Sequence, residues 1–196
     1  MAKRSYMAPI VVILLTVMGI LLVLLYSRVL LDDQSRKTEQ GKRLASNYTY
    51  CQYYSSLLQE GAEAMLAAAE PWERLPAAQS FGKLTVVGAE CSPALIQSGT
   101  LSGQDQAAAT DAVTVPIQKI NETAASIGGH DGPLAEAETT MLRRLAEAGA
   151  KLEETLASYS VPTKDASFRL MASGADWTEP AQEAAKQLKE LADSLP

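Results

Sequence analysis

Apolar residues fall into one unbroken block near the start of this chain, followed by a series of short periodic stripes. From Ser5 to Ser27 there is no charged residue, and from Met7 to Tyr26 only Pro9, Thr16 and Gly19 interrupt the apolar run. A helix needs about 20 apolar residues, each rising ~1.5 Å, to cross the hydrocarbon core of a bilayer. Pro9 falls in the first turn, where its missing N–H costs little, and Tyr6 and Tyr26 bracket the run as interface aromatics do. A cleaved signal peptide needs a shorter apolar core and a small-x-small site. Leu24-Leu25-Tyr26-Ser27-Arg28 supplies neither. A buried soluble helix of this length would be expected to keep a polar face. The block reads as an uncleaved membrane anchor.

The next segment is its opposite. Asp32 to Arg43 reads DDQSRKTEQGKR, without one apolar side chain. Such a stretch is expected to be a solvated helical stalk or a flexible spacer. Contact of Arg36, Lys37, Lys42 and Arg43 with lipid headgroups is diluted by the acids between them.

Helical periodicity then begins. Leu44, Tyr48, Cys51, Ser55, Leu58, Ala62 and Met65 recur at steps of three and four, one side of a helix that Pro71 should end. A second stripe runs through Phe81, Leu84, Gly88, Cys91 and Leu95, with Ser92-Pro93 as the expected break. Leu84 to Val87, with its β-branched Thr85-Val86-Val87, is the one segment where a strand competes. Ser102 and Asp105 suggest a helix start. A third stripe follows at Val113, Ile117, Ile120, Ala124 and Ile127, with Pro116 as a kink or start. Gly128-Gly129-His130-Asp131-Gly132-Pro133 is the clearest turn, and Pro133 is expected to open the next helix. That helix carries Leu142, Leu145, Gly149, Leu152, Leu156 and Tyr159 as a coiled-coil-like seam, too short for a free coiled coil. A short helix around Asp165 to Ala172 and a last one capped by Thr178, with Trp177 packing back and Ala181, Ala184, Leu188 and Leu191 inside, complete the pattern.

Each stripe is amphipathic and must bury itself on a neighbour. The predicted fold is therefore all-α: one N-terminal transmembrane helix followed by an antiparallel bundle of four to five helices. The expected divisions are a short cytoplasmic N-terminus (1–6), the transmembrane helix (7–26), a polar stalk (27–43) and an extracytoplasmic helical-bundle domain (44–196). The 196 residues suffice for one such domain with a real core.

Charge narrows the partners. Without Lys3 and Arg4, 15 basic residues face 23 acidic ones. Phosphate contacts require concentrated Lys and Arg, so nucleic acid is not an expected partner. Orientation rests on the anchor's flanks. Lys3 and Arg4 precede it, whereas Arg28, Asp32, Asp33, Arg36, Lys37 and Glu39 sum to zero. This balance favours a cytoplasmic N-terminus and an exported domain; counting Lys and Arg alone weakens it.

Candidate chemistry is sparse. Cys51 and Cys91 both lie on apolar stripes, equidistant from Pro71, so a hairpin folding there brings them to nearly one height. They form a disulfide candidate if small neighbours such as Ser55 and Gly88 let the helices come within about 7 Å between Cα atoms, closer than the usual 8–10 Å between axes. Two buried free thiols are the competing reading. One His and two Cys so placed supply no metal site, and no cofactor is expected. His130, the only histidine, sits beside Asp131 as half a catalytic dyad would, but no nucleophile is fixed near it, and an exposed turn residue with Asp131 as a helix cap is the preferred reading. Tyr48, Tyr50, Tyr53 and Tyr54 cannot all face inward from one helix. They are partner-binding candidates, set against ordinary core packing with hydroxyls reaching water. Phosphate-loop, GxSxG and HExxH motifs are absent.

The expectation is a membrane-tethered, extracytoplasmic helical module for sensing, scaffolding or partner binding, without catalytic activity of its own. Its partners would be the lipid bilayer and another membrane or envelope protein, or a second copy of itself. The alternative is a cell-envelope enzyme or enzyme accessory subunit that uses the His130 loop or the tyrosine cluster.

Overall fold

The computed structural model describes residues 7–196, with side chains from residue 11 onward; Lys3, Arg4 and Tyr6, and the side chain of Pro9, lie outside the described residues. The apolar block, the polar stretch and the first stripe form one helix, α1, Met7–Ala67, 61 residues without a break. At ~1.5 Å per residue it is about 90 Å long. Charged and polar residues such as Gln34, Arg36, Lys37, Glu39 and Gln40 are good helix formers, so nothing between the apolar segment and the domain terminates the backbone hydrogen bonds. Lys37 pairs with Asp33 one turn back at 2.9 Å.

Along α1 the surroundings change twice. Every side chain from Val11 to Lys37 is exposed, including the apolar run that continues through Val29, Leu30 and Leu31. This part of the helix is long and apolar enough to cross a membrane. Burial begins at Thr38 and Gly41, inside the stretch expected to be a solvated stalk. The helical domain thus starts about two turns earlier than the sequence suggested. The reason is a residue without a side chain: a β-carbon at Gly41 would overlap the carbonyl of Phe168. A polar segment can pack when glycine lets a neighbouring backbone fill the place of an apolar side chain.

After a 3₁₀ turn at Pro71–Arg74 come α2 (Leu75–Leu101), α3 (Gln106–Ser126), α4 (Glu136–Ala157), α5 (Asp165–Ala172) and α6 (Thr178–Ser194); no strand occurs among the described residues. Leu84 to Val87 is helical. Leu84 and Val87 are buried and Val86 is exposed, which is helical and not alternating spacing. The expected break at Ser92-Pro93 does not occur. Pro93 lies on the exposed side of α2, where losing one N–H deprives only the carbonyl of Ala89, while buried Cys91, Ala94 and Leu95 hold the helix on its neighbours.

Helix starts also differ from expectation. Asp105, not Ser102, begins α3, its carboxylate accepting from the N–H groups of Ala107 and Ala108 at 3.0 and 3.3 Å. α4 opens at Glu136 and not at Pro133, because Glu138 reaches back to the N–H of Ala135 at 2.8 Å. Before α6, Trp177 is wholly buried and its indole N–H donates to the carbonyl of Met171 at 2.7 Å. The Thr178 hydroxyl donates to the Gly174 carbonyl instead of capping the helix.

Every member of the first three stripes is buried, as are Leu142, Leu145, Gly149, Leu152 and Leu156 of the fourth. Helices α1, α2, α6 and α4 close a ring of contacts, α3 lies against α2 and α6, and α5 lies against α1. Gly149 sets the approach of α4 to α1, since a β-carbon there would come within 2.7 Å of the backbone nitrogen of Gln59.

Candidate functional site

The four tyrosines separate by bearing. Tyr48 and Tyr54, six residues apart, are buried, whereas Tyr50 and Tyr53 are 38% and 45% exposed. Tyr48 donates its hydroxyl to the carbonyl of Leu156 at 2.9 Å, and Gln52 donates to the same oxygen at 3.2 Å. Carbonyls in the last turn of a helix lack the usual partner four residues on; from its own turn the Leu156 oxygen has a long bond from the N–H of Tyr159 at 3.4 Å, and these two α1 side chains complete the end of α4. The Tyr48 ring also meets Tyr159 edge-on at 5.3 Å and Trp177 at 6.4 Å. Burial pushes the hydroxyls of Tyr48 and Tyr54 well above the usual tyrosine range, so both stay protonated and act as donors. Of the cluster, Tyr50 and Tyr53 alone offer their rings to another molecule.

Cys51 and Cys91 come together. Their sulfurs lie at disulfide distance, 2.07 Å, with Cα atoms 4.6 Å apart, where α1 and α2 cross. Both residues are almost fully buried.

His130 does not pair with Asp131. Its Nε2 lies 2.9 Å from Glu138, whose two carboxylate oxygens also accept from the N–H groups of Gly128 and Ala135 at 2.9 and 2.8 Å. These donors, Gly128 foremost and then His130, hold the Glu138 carboxyl down to about 2. The carbonyl of His130 accepts from Nη1 of Arg74 at 3.1 Å. Arg74 is buried to 3% exposure, has no carboxylate within ion-pair distance among the described residues, and leaves its Nε without a partner. Glu138 and Arg74 thus both hold the glycine-rich loop. No sequence signal pointed to Glu138 as the partner of His130, although a Glu three residues after a non-helical residue is the usual helix-start pattern. No group of three or more His, Cys, Asp or Glu gathers to hold a metal among the described residues.

A cleft of about 500 Å³ opens between α2 and α3, lined by Thr85, Ala89, Ser92, Ile117, Asn121 and Ala125 among others. At its floor Asn121, 8% exposed, accepts through Oδ1 from the hydroxyl of Tyr54 at 2.9 Å. Neither Asn121 nor this cleft was marked by periodicity, since Asn121 falls one residue beyond the stripe position Ile120.

Comparison of the chain with models of protein families, with curated proteins and with solved structures gave no match.

Proposed function

We propose that this chain is a membrane-tethered helical module, held at the extracytoplasmic side, that serves sensing, scaffolding or partner binding and carries no catalytic activity of its own. The observation that carries the reading is the continuity of α1. One helix contains the exposed apolar segment and, further on, Tyr48, Cys51, Tyr54 and Leu58 at the centre of the domain. A displacement of the domain's core is then a displacement of the anchor, with no flexible joint between them.

Three further observations support it. The contact of Tyr48 with Leu156 and the meeting of Cys51 with Cys91 suit an antiparallel bundle in which α2 and α4 return along α1. A cysteine pair at bonding distance suits an oxidising compartment. Lys3 and Arg4 ahead of the anchor suit a cytoplasmic N-terminus. Exposed Tyr50 and Tyr53 on α1, with Trp72 and Leu75 at the turn into α2, offer aromatic and apolar surface for a partner protein or a second copy. The envelope-enzyme alternative would take His130 as its base, and that imidazole is engaged by a carboxylate already committed to two backbone N–H groups.

Topology is tested by Trp72→Cys, at a position 74% exposed. A membrane-impermeant maleimide should label it in intact cells; labelling only after permeabilisation would place the domain on the other side. Crosslinking of intact membranes should then yield a specific partner or a self-dimer, and a clean monomer counts against partner binding. His130→Ala should leave any phenotype of the chain in place. Loss of that phenotype with unchanged folding would revive the enzyme reading.

A further inference from the structure

We propose that the end of the domain nearest the apolar segment, formed by α5 and the adjoining turns of α1, rests in the headgroup layer of a bilayer and binds lipid phosphate through Arg36 and Arg169. The inference rests on the proposed membrane anchor and names the partner of the surface beside it. Distance along α1 is the reason. Apolar residues run from Met7 to Leu31, with Arg28 the one charge among them. Thr38 stands seven residues further on, about 10 Å along the helix. Its hydroxyl donates back to the carbonyl of Gln34 at 2.8 Å and accepts from Nη1 of Arg169 at 3.4 Å. The guanidinium of α5 is thus held between the levels of Gln34 and Thr38, roughly 5–10 Å past Leu31. A bilayer ~40–45 Å thick around a ~30 Å hydrocarbon core leaves about 5–7 Å of headgroup layer on each side. Arg169 meets that layer even on an upright helix. Gly41 fixes α5 at this height, since the carbonyl of Phe168 occupies the place of its missing side chain.

Ion pairing sorts the charges at this end. Lys37 is matched by Asp33 at 2.9 Å, and Lys42 by Glu39 at 3.1 Å and Asp165 at 3.8 Å. Arg36 and Arg169 enter no ion pair among the described residues. Asp32, the acid left over on this part of α1, lies one turn from Arg28, and Asp176 shares a groove with Lys164. The acids that dilute the basic residues in the sequence are therefore taken up by lysines, and the free cations are guanidiniums. Their planar fork matches a phosphate with two hydrogen bonds. Arg28 carries its charge outward to the same layer along its apolar stem.

Length adds a tilt. Met7 to Leu31 spans about 37 Å as helix, against ~30 Å of hydrocarbon, and a long apolar run is accommodated by tilting. A tilt lowers one side of the domain, and the side carrying α5 has apolar surface to remove from water. Leu170 on α5 is 61% exposed. Leu101, whose side chain packs beside Gly174 just beyond α5, is 42% exposed. An apolar contact of this kind seats at the boundary of headgroups and acyl chains, with cations beside the phosphates.

The experiment is fluorescence quenching on the full chain in nanodiscs of phosphatidylcholine and phosphatidylglycerol, labelled singly at Leu170→Cys, Trp72→Cys or Leu22→Cys, three exposed positions. A nitroxide carried on the lipid headgroup should reduce emission at Leu170→Cys about twofold or more, because the label sits at the headgroup layer. Trp72→Cys should be unchanged, since the turn after Ala67 lies about 50 Å from Leu31. Arg36→Gln/Arg169→Gln should lose most of the quenching at Leu170→Cys. Arg36→Lys/Arg169→Lys, which keeps both charges, should retain it. Emission at Leu170→Cys no more quenched than at Trp72→Cys would overturn the inference, as would quenching that survives the glutamine pair or is lost from the lysine pair. Iodide in the water should reach Trp72→Cys and be excluded from Leu170→Cys. Exclusion without headgroup quenching would put a second copy on α5 and overturn the inference as well. A nitroxide on the acyl chain reports on Leu22→Cys. Quenching there leaves the anchor standing whatever Leu170→Cys shows, and its absence overturns anchor and inference together.

Discussion

Replacing both cysteines by alanine removes the covalent link between α1 and α2 without adding polar groups to the core. The two residues are separated by 40 positions. Releasing a loop of that size returns roughly 13 cal/mol/K of chain entropy to the unfolded state, or about 4 kcal/mol at 25 °C. Loss of two buried sulfur atoms adds about 1 kcal/mol, because Cys51 and Cys91 are 2% and 1% exposed and their neighbours close only partly over the gap. With a urea dependence of about 2 kcal/mol per molar, the midpoint of unfolding of the double variant should fall by roughly 2.5 M. The assay is urea denaturation of the natural chain with and without reductant, beside Cys51→Ala/Cys91→Ala. Reduced natural protein and the double variant should converge within about 1 kcal/mol, since both lack the link. Denatured, unreduced protein should also resist alkylation at both thiols. Coincident curves with and without reductant, or full alkylation before reduction, would refute the argument that this crossing is covalently closed.

Other perturbations test other joints. Glu138 is held to about 2 against an ordinary 4.5, so its contribution is complete above pH 4.5 and is lost as the pH falls through about 2. The protection of the Gly128 and Ala135 amides against hydrogen exchange, measured relative to their intrinsic rate at each pH, should fall over that window in the natural protein, and Glu138→Gln should flatten the dependence; an identical acid profile in the variant would contradict the assignment. Tyr54→Phe leaves Oδ1 of buried Asn121 without its donor and should cost about 1–3 kcal/mol in the same urea assay. A change below a few tenths would mean the hydroxyl is dispensable. Gly41→Val drives a side chain into the carbonyl of Phe168 and should detach α5 from α1. Limited proteolysis within residues 160–176 should rise severalfold, and unchanged cleavage would show that α5 does not rest on this surface.

The all-helical character and the inward faces were legible because steps of three and four apolar residues leave little choice of period. Tyr48, Leu58, Leu84, Ile120, Leu145 and Leu188 all lie where that period puts them. The Cys51–Cys91 meeting was legible from their equal distances to Pro71, although the stripes alone did not exclude two separate thiols. What escaped depends on groups that periodicity ignores. Pro93 reads as a break when taken alone, yet on an exposed helix face it costs a single hydrogen bond that packing of Cys91 and Leu95 outweighs. Gly41 reads as part of a polar spacer until the backbone of Phe168 is set against it. His130 has Asp131 as its chain neighbour, but its partner is Glu138, eight residues on and brought back by the loop. Asn121 opens an Asn-Glu-Thr triplet of the N-glycosylation type but stands off the apolar stripe; its burial beside α1 follows from Tyr54 on a different helix.

Continuity of α1 from the apolar segment into the core is the claim on which the functional reading stands. Spin labels at Arg28→Cys and Tyr53→Cys, both exposed, bracket the join between the two regions. In nanodiscs, double electron–electron resonance should give one narrow distance near 38 Å, the rise of 25 helical residues at ~1.5 Å each. A broad distribution, or a distance many ångströms shorter, would mean that the polar stretch is a flexible joint and that the core cannot move the apolar segment.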